Sequence, residues 1–552
     1  MREQTAWADT ALALDEIWRD LRHTVRQLRR SPAFTATAVI TLALGIGATT
    51  AIFTLIQQVM LRSLPVVRPS QLWRVGDSAS CCFSAGYTQG DKARNDWSLF
   101  SWEAYKLFRA NTPAFEDLAA FQIGSGNAEL AVRRAGSPAA ANTGMGEYVS
   151  GNFLKTFGIS AWRGRLFTDA DDREGAPPAA VMSFHTWLGK YGSDPSVIGA
   201  TYQIDGHTFT IIGVTPPGFY GAKLASWGMP DFWLPLATEP IIAGATTRLR
   251  NLGLAWLDLI GRVRPGTNSK ALEAQLQVEL HQWLASHLAE MSSQEKALWE
   301  KQTLHLTPGG AGVSLMREGY KDGLRLLLMA AICVLLAACA NIANLLLARG
   351  LKARHQTAIR AALGASRARL MRQALVESLA LGLLGAAAGI VVAYAGARLI
   401  LYLAFRGGPY AWVPIDAAPS GPVLLFALGI SVIAGIAFGV APAWMASRAE
   451  PAEALRGASR SVQGNGHRVQ KTLVIVQAAV SLVLLSAAAM LGQSLRNLEH
   501  QNFGFDSSGR YLVSIDPKMS GYRQDQLLPL FREMEGRLRA IPGAHSVGAV
   551  LE

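Results

Sequence analysis

The stretch ARHQTAIRAALGASRARLMRQAL gathers the residues best placed to act together: Arg354, Arg360, Arg367, Arg369 and Arg372 occur with no acid among residues 353–375. The charge alone fits a membrane-edge signal that sets orientation and holds anionic lipid head groups. The internal pattern asks for more. Ile359, Ala362 and Leu363 share a helical face opposed to Arg360, Gly364 is placed to end that helix, and Ser366 to cap the next. The expectation is a short helix, a Gly-Ala-Ser corner and a second helix whose arginines lead into an apolar run.

Other groups with chemical potential point away from catalysis. No G-x-x-x-x-G-K-[ST] occurs in these 552 residues, so the sequence holds no Walker A loop to cradle phosphates. His281 and His287 stand six apart in a polar helical stretch and read as surface residues, not metal ligands. Asp169, Asp171, Asp172 and Glu174 in FTDADDREG read as a solvated turn, with no nucleophile and base beside them, so no enzyme is expected. Cys81 and Cys82 are adjacent; a strained ring, free thiols and intermolecular pairing stay open, and no disulfide framework is assigned.

These residues are positioned by membrane helices. Phe34 to Leu61, Leu326 to Ala348, Leu379 to Ala397, Val423 to Met445 and Leu473 to Leu491 contain no Asp, Glu, Lys or Arg. Each is near or above the roughly 20 residues a spanning helix needs. The net charge of +12 gathers at alternate edges of these runs. Arg2, Arg19, Arg22, Arg26, Arg29 and Arg30 precede the first, Arg349, Lys352 and the five arginines separate the second from the third, and Arg448, Arg456, Arg460, Arg468 and Lys471 separate the fourth from the fifth. By the positive-inside rule these segments are cytoplasmic, and the basic excess is a topology signal, not a nucleic-acid footprint. Asn341 and Asn344 read as interhelical hydrogen-bonding groups, and the absence of ionisable residues near midplane disfavours an ion-coupled secondary transporter.

The resulting plan is a cytoplasmic amphipathic helix over 1–33, a first span over 34–61, an external domain over 62–322 and a second span over 324–348. A cytoplasmic helix and turn over 349–375, a third span over 376–403, an external loop over 404–421, a fourth span over 422–445, a basic linker over 446–471, a fifth span over 472–493 and an external segment over 494–552 complete it. The leader repeats Leu12, Leu14, Ile17, Leu21, Val25 and Leu28 at mostly helical spacing against arginines, a face suited to the membrane surface. In the external domain, which reads as α+β, Asp205-Gly206 predicts a tight hairpin, residues 268–302 a helix and residues 76–96 a mobile loop.

The arginine-rich stretch resembles the permeases of the FtsX/MacB superfamily of ABC transport systems, whose hallmark is similar to R-E-x-A-x-R-x-A-L-G-A-x-R. Ala358, Arg360, Ala362, Leu363, Gly364, Ala365 and Arg367 match it, and Gln356 stands where the family usually has Glu. PAWMASRAEPAEALR, from Pro442 to Arg456, is similar to a second hallmark, while VSGNFLKTFGI, AAVMSFHTW and IIGVTPPGF resemble the MacB-type periplasmic core. The leader LRHTVRQLRRSPAFTA further resembles acidobacterial-type duplicated orphan permeases, in which two such units are fused in tandem. Residues from Arg468 then look like the start of a second copy that stops early, so a truncated chain is expected.

The resemblance implies an integral membrane protein of the bacterial inner membrane, with a MacB-like α+β periplasmic core and an FtsX-like transmembrane unit. It implies that a separate cytoplasmic ABC ATPase binds ATP, that this chain itself needs no cofactor, and that Arg354, Gln356, Ile359, Arg360, Leu363, Gly364 and Arg367 lie in the ATPase-coupling segment. Partners expected with it are the bilayer, a second copy or tandem half, and a periplasmic protein. Mechanotransmission for export of hydrophobic or amphipathic cargo is the first functional expectation. A non-transporting regulator that signals to an envelope partner is the second.

Overall fold

The computed structural model describes residues 18–77, 97–123, 128–224, 228–251, 254–287, 301–352, 366–405, 413–447, 466–501 and 524–548, with a few isolated positions. They form two compact units, one of long helices and one built around a sheet. Cys81 and Cys82 and most of the expected 76–96 loop lie outside the described residues. Cys333 and Cys339 are free thiols.

Among the described residues, five helices are long and apolar enough to cross a membrane: Pro32–Leu61, Gly319–Gly350, Ala368–Phe405, Gly421–Val440 and Lys471–Leu498. Helices are the form such runs must take, because lipid offers no partner to an open backbone group. Glycines bring the spans together. A Cβ built on Gly47 would lie 2.8 Å from Val392 Cβ and 2.9 Å from the Gly389 carbonyl, and one on Gly385 would lie 2.5 Å from Leu42 Cβ. A Cβ on Gly382 would lie 2.9 Å from the Ser431 carbonyl oxygen, and Gly45 faces Leu335 and Ala338 on the second span. Small residues let backbones meet, which substitutes for the hydrophobic drive that lipid removes. Around them Leu42, Ile46, Leu335, Ile342, Leu381 and Phe438 form one buried cluster. The fifth span differs: none of its most apolar window is buried against protein.

A helix over residues 18–30 precedes the first span, separated from it by Ser31. Its packing adds a protein-facing side to the expected amphipathic pattern. Asp20, Thr24 and Leu28 are buried, whereas Leu21 and Val25 are 38% and 43% exposed. Leu12, Leu14 and Ile17 lie outside the described residues.

The second unit is organised by a sheet of 11 strands among the described residues. Its path runs through Phe232–Pro235, Ala179–Met182, His207–Val214, Thr201–Ile204, Ala128–Arg134, Asn142–Val149, Phe115–Gln122, Leu257–Val263, Leu72–Val75 and Leu306–Pro308, with Arg163–Gly164 added beside His207–Val214. Phe232–Pro235 also pairs in parallel with Asn142–Val149, closing the first six strands on the path into a ring. The expected hairpin forms, with Ile204 opposite His207 and Asp205 and Gly206 both at positive φ, 47° and 81°. The helix expected over 268–302 is described as Ser269–Ser286. Asn268 caps its start, and Leu272, Leu276 and Leu280 are buried on one face. At its end Ser286 Oγ donates to the Trp283 carbonyl at 2.7 Å and the His287 ring lies 2.8 Å from it, so side chains take the place of the next helical turn. Residues 301 and 302 are not helical.

Candidate functional site

Two helix ends flank residues 353–365, and both are locked into a polar clasp. Arg349, near the end of the second long helix Leu315–Lys352, places Nη1 3.0 Å from Glu377 Oε1 on the third, Arg367–Phe405. Its Nη2 lies 3.3 Å from Ser31 Oγ, and its guanidinium sits 4.7 Å from the centre of the Phe34 ring. Gln27 adds an amide at 3.4 Å from Glu377 Oε2. One turn earlier, Arg372 Nε donates to Asp20 Oδ2 at 2.8 Å, and Gln373 Nε2 meets His23 Nδ1 at 2.8 Å. The partners advance together, 20 with 372, 23 with 373 and 27 with 377, so the 18–30 helix runs parallel to the start of the third helix. The Arg372 partner is why Asp20, rather than Leu21 or Val25, faces protein: a charge leaves water only where a partner waits. Ser366 accepts from the Arg369 amide at 3.3 Å and caps the third helix as its sequence anticipates.

The sheet unit has its own fixed points where the chain enters it and where it leaves. On the entering side, Arg262 is buried and its guanidinium grips the backbone: Nη2 donates to the Val67 carbonyl at 2.7 Å, Nη1 to the Arg68 carbonyl at 3.3 Å, and Nε to the Thr156 carbonyl at 3.1 Å. Arg68 sits at φ 46°, a left-handed conformation that costs a non-glycine residue about 1–2 kcal/mol and that these bonds hold in place. On the leaving side, Val313 pairs with Lys223 in a two-stranded sheet. Lys223 directs its ammonium inward, 2.9 Å from Glu147 Oε1, and also donates to the Gln122 carbonyl. Trp233, opposite Glu147 in register, donates Nε1–H to its Oε2 at 2.9 Å. Arg74 and Asp258 form a second buried pair at 2.9 Å, where burial pushes the Asp258 carboxyl up against the opposing pull of Arg74. The two connecting segments touch, with the Leu64 amide 2.9 Å from the Gly310 carbonyl.

Two family models match the chain, the first running from the first long helix into the sheet unit. A family model described as the MacB-like periplasmic core domain matches residues 35–278, and one described as the FtsX-like permease C-terminal matches residues 328–451. The chain belongs to the FtsX/MacB-type permeases. Over 320 residues it is 28% identical to the macrolide export ATP-binding/permease protein MacB of Burkholderia thailandensis, covering 57% of this chain and 42% of that one. It is 25% identical over 308 residues to the probable syringafactin export ATP-binding/permease protein SyfD of Pseudomonas syringae pv. tomato, covering 56% and 41%. An uncharacterized ABC transporter permease of Bacillus subtilis, YknZ, is 33% identical over 116 residues, covering 21% of this chain and 27% of that one. The permease thus spans less than half the length of these curated relatives.

The FtsX-like match contains the whole arginine-rich stretch of the permease. Arg354, Gln356, Ile359, Arg360, Leu363 and Gly364 lie outside the described residues, and Arg367 is described as the first residue of the third long helix. What the sequence did not reveal is the frame around them, in which Asp20, Gln27 and Glu377 join Arg349 and Arg372. One signal was available, since Glu377 is the single acid between Asp322 and Asp416. The FTDADDREG acids of the permease are also more than a solvated turn. Asp171 takes both Arg165 guanidinium nitrogens at 2.8 and 2.7 Å, and that pairing holds its carboxyl down at about 2. Asp172 is half-buried and accepts from the Gly151 and Ala237 amides at 2.9 and 2.7 Å; burial pushes its carboxyl up.

Proposed function

We propose that this permease couples ATP hydrolysis by a separate cytoplasmic ATPase to movement of its periplasmic domain, with hydrophobic or amphipathic compounds as cargo. The observation that carries the reading is the clasp. The helices on either side of residues 353–365 in the sequence are joined to each other by Arg349 and Glu377, so a push delivered to either one reaches both and the 18–30 helix at once. In this reading residues 353–367 meet the ATPase through Arg354, Gln356, Ile359, Arg360, Leu363, Gly364 and Arg367, the N-terminus is cytoplasmic, and the ATPase, not this chain, holds ATP. The periplasmic sheet, pinned at both of its connections by Arg262 and Lys223, is built to move as one piece. The cargo class is taken from the relatives, whose names specify macrolide and syringafactin export. A second copy or tandem half would supply the other side of the assembly, as in the duplicated permeases, and a periplasmic protein would receive the movement.

The test is affinity purification of the permease in mild detergent, with and without Arg360→Glu. A nucleotide-hydrolysing subunit should co-purify with the parent and be lost from the variant. Absence of such a subunit from both, with the membrane protein intact, refutes the coupling role.

A further inference from the structure

The 18–30 helix divides into three sectors. Asp20, Thr24 and Leu28, at i, i+4 and i+8, are buried against the permease. Arg22, Arg26, Arg29 and Arg30 form an exposed basic sector. Trp18, Leu21 and Val25, at i, i+3 and i+7, form an apolar sector that is 65%, 38% and 43% exposed. The clasp to Arg372 and Glu377 fixes the rotation of the helix, so the apolar and basic sectors point away from protein together.

We propose that this helix is a docking surface for anionic phospholipid, with Trp18, Leu21 and Val25 in the head-group and acyl boundary and the arginines on lipid phosphates. Three observations favour lipid over a protein occupant. The apolar stripe is narrow and continuous with the first span, which begins two residues after Arg30, at Pro32. The basic sector is free of acids, and arginine next to aromatic and aliphatic residues is the composition of an interfacial helix. Among its other polar residues, Asp20, His23 and Gln27 are engaged in the clasp and Thr24 is buried, so the outward sectors consist of apolar and arginine side chains. The helix would then hold the third span to the inner leaflet through Asp20 and Arg372. This inference requires only that the permease is in a membrane, not that an ATPase drives it.

The test uses the full chain with its four cysteines replaced by alanine and an environment-sensitive fluorophore on Leu21→Cys or, as an exposed reference on the sheet hairpin, His207→Cys. The protein is placed in nanodiscs of phosphatidylcholine alone or mixed with phosphatidylglycerol. Expected is a blue-shifted emission at 21, quenched by nitroxide-labelled lipid and shielded from iodide, with shielding that increases with phosphatidylglycerol and is lost in Arg22/Arg26/Arg29/Arg30→Gln. Iodide quenching at 21 equal to that at 207 in both lipids overturns the proposal. So does shielding that ignores phosphatidylglycerol, and so does shielding that arises only when an ATPase subunit is added, which would make the face a protein-docking surface.

Discussion

Replacing Lys223 by methionine isolates one buried charge. The Lys223 and Glu147 side chains are 5% and 0% exposed, and their contact at 2.9 Å joins the strand that pairs with Val313 to the main sheet. Methionine nearly preserves the volume of the lysine stem, so little cavity forms, but Glu147 loses its counter-ion while retaining the Trp233 N–H. Removing one partner of a buried pair costs about 3–5 kcal/mol, most of it the unpaired charge. For a domain of this size, with a urea slope of about 3 kcal/mol/M, the unfolding midpoint should drop by about 1–2 M. Adding Glu147→Gln should recover most of that loss, since glutamine can still accept from Trp233 and no charge is stranded. The assay is urea unfolding of the detergent-solubilised chain followed by tryptophan fluorescence, to which the periplasmic domain contributes most of the tryptophans. A midpoint that moves by less than about 0.3 M, or a double variant no more stable than the single, refutes the view that Lys223 neutralises Glu147.

The other expectations concern the clasp, the acidic loop and the helix contacts. Glu377→Ala removes the acceptor shared by Gln27 and Arg349; at about 1–2 kcal/mol for a half-buried, hydrogen-bonded pair, amide exchange in residues 18–30 should speed up roughly tenfold, and unchanged exchange would mean that apolar packing alone holds that helix. Asp171 has its carboxyl lowered to about 2 by Arg165 and Thr168. Because the folded value lies below the unfolded one, its stabilisation is present above about pH 4 and fades as pH falls toward 2. The stability gap between parent and Asp171→Asn should therefore narrow over that window; a gap constant from pH 6 to 2 contradicts the ion pair. Gly47→Val pushes a branched side chain into Val392 and the Gly389 backbone, so the variant should lose thermal stability in detergent, by about 1–3 kcal/mol, whereas the same change at Gly429, which has open space beside it, should be nearly silent.

How much of this was legible in the sequence depended on the range of the interaction responsible. The five spans follow from composition, since an uncharged run of that length has one stable form in lipid. The hairpin at Asp205-Gly206 and the caps at Asn268 and Ser366 follow from local backbone chemistry, which acts over a few residues. The family hallmarks were equally visible, because motif residues are consecutive. The protein-facing side of the 18–30 helix was not legible for the opposite reason: periodicity shows only the apolar stripe, and only a partner some 350 positions away justifies burying Asp20. The same holds for the periplasmic pins. Nothing near Lys223 in the chain announces Glu147, nor does anything near Arg262 announce Val67. By itself the sequence determined which segments cross the membrane and which turn, through length, polarity and local φ preference. Tertiary structure alone decided which charges are buried, because a buried charge is tolerated only where folding brings its counterpart.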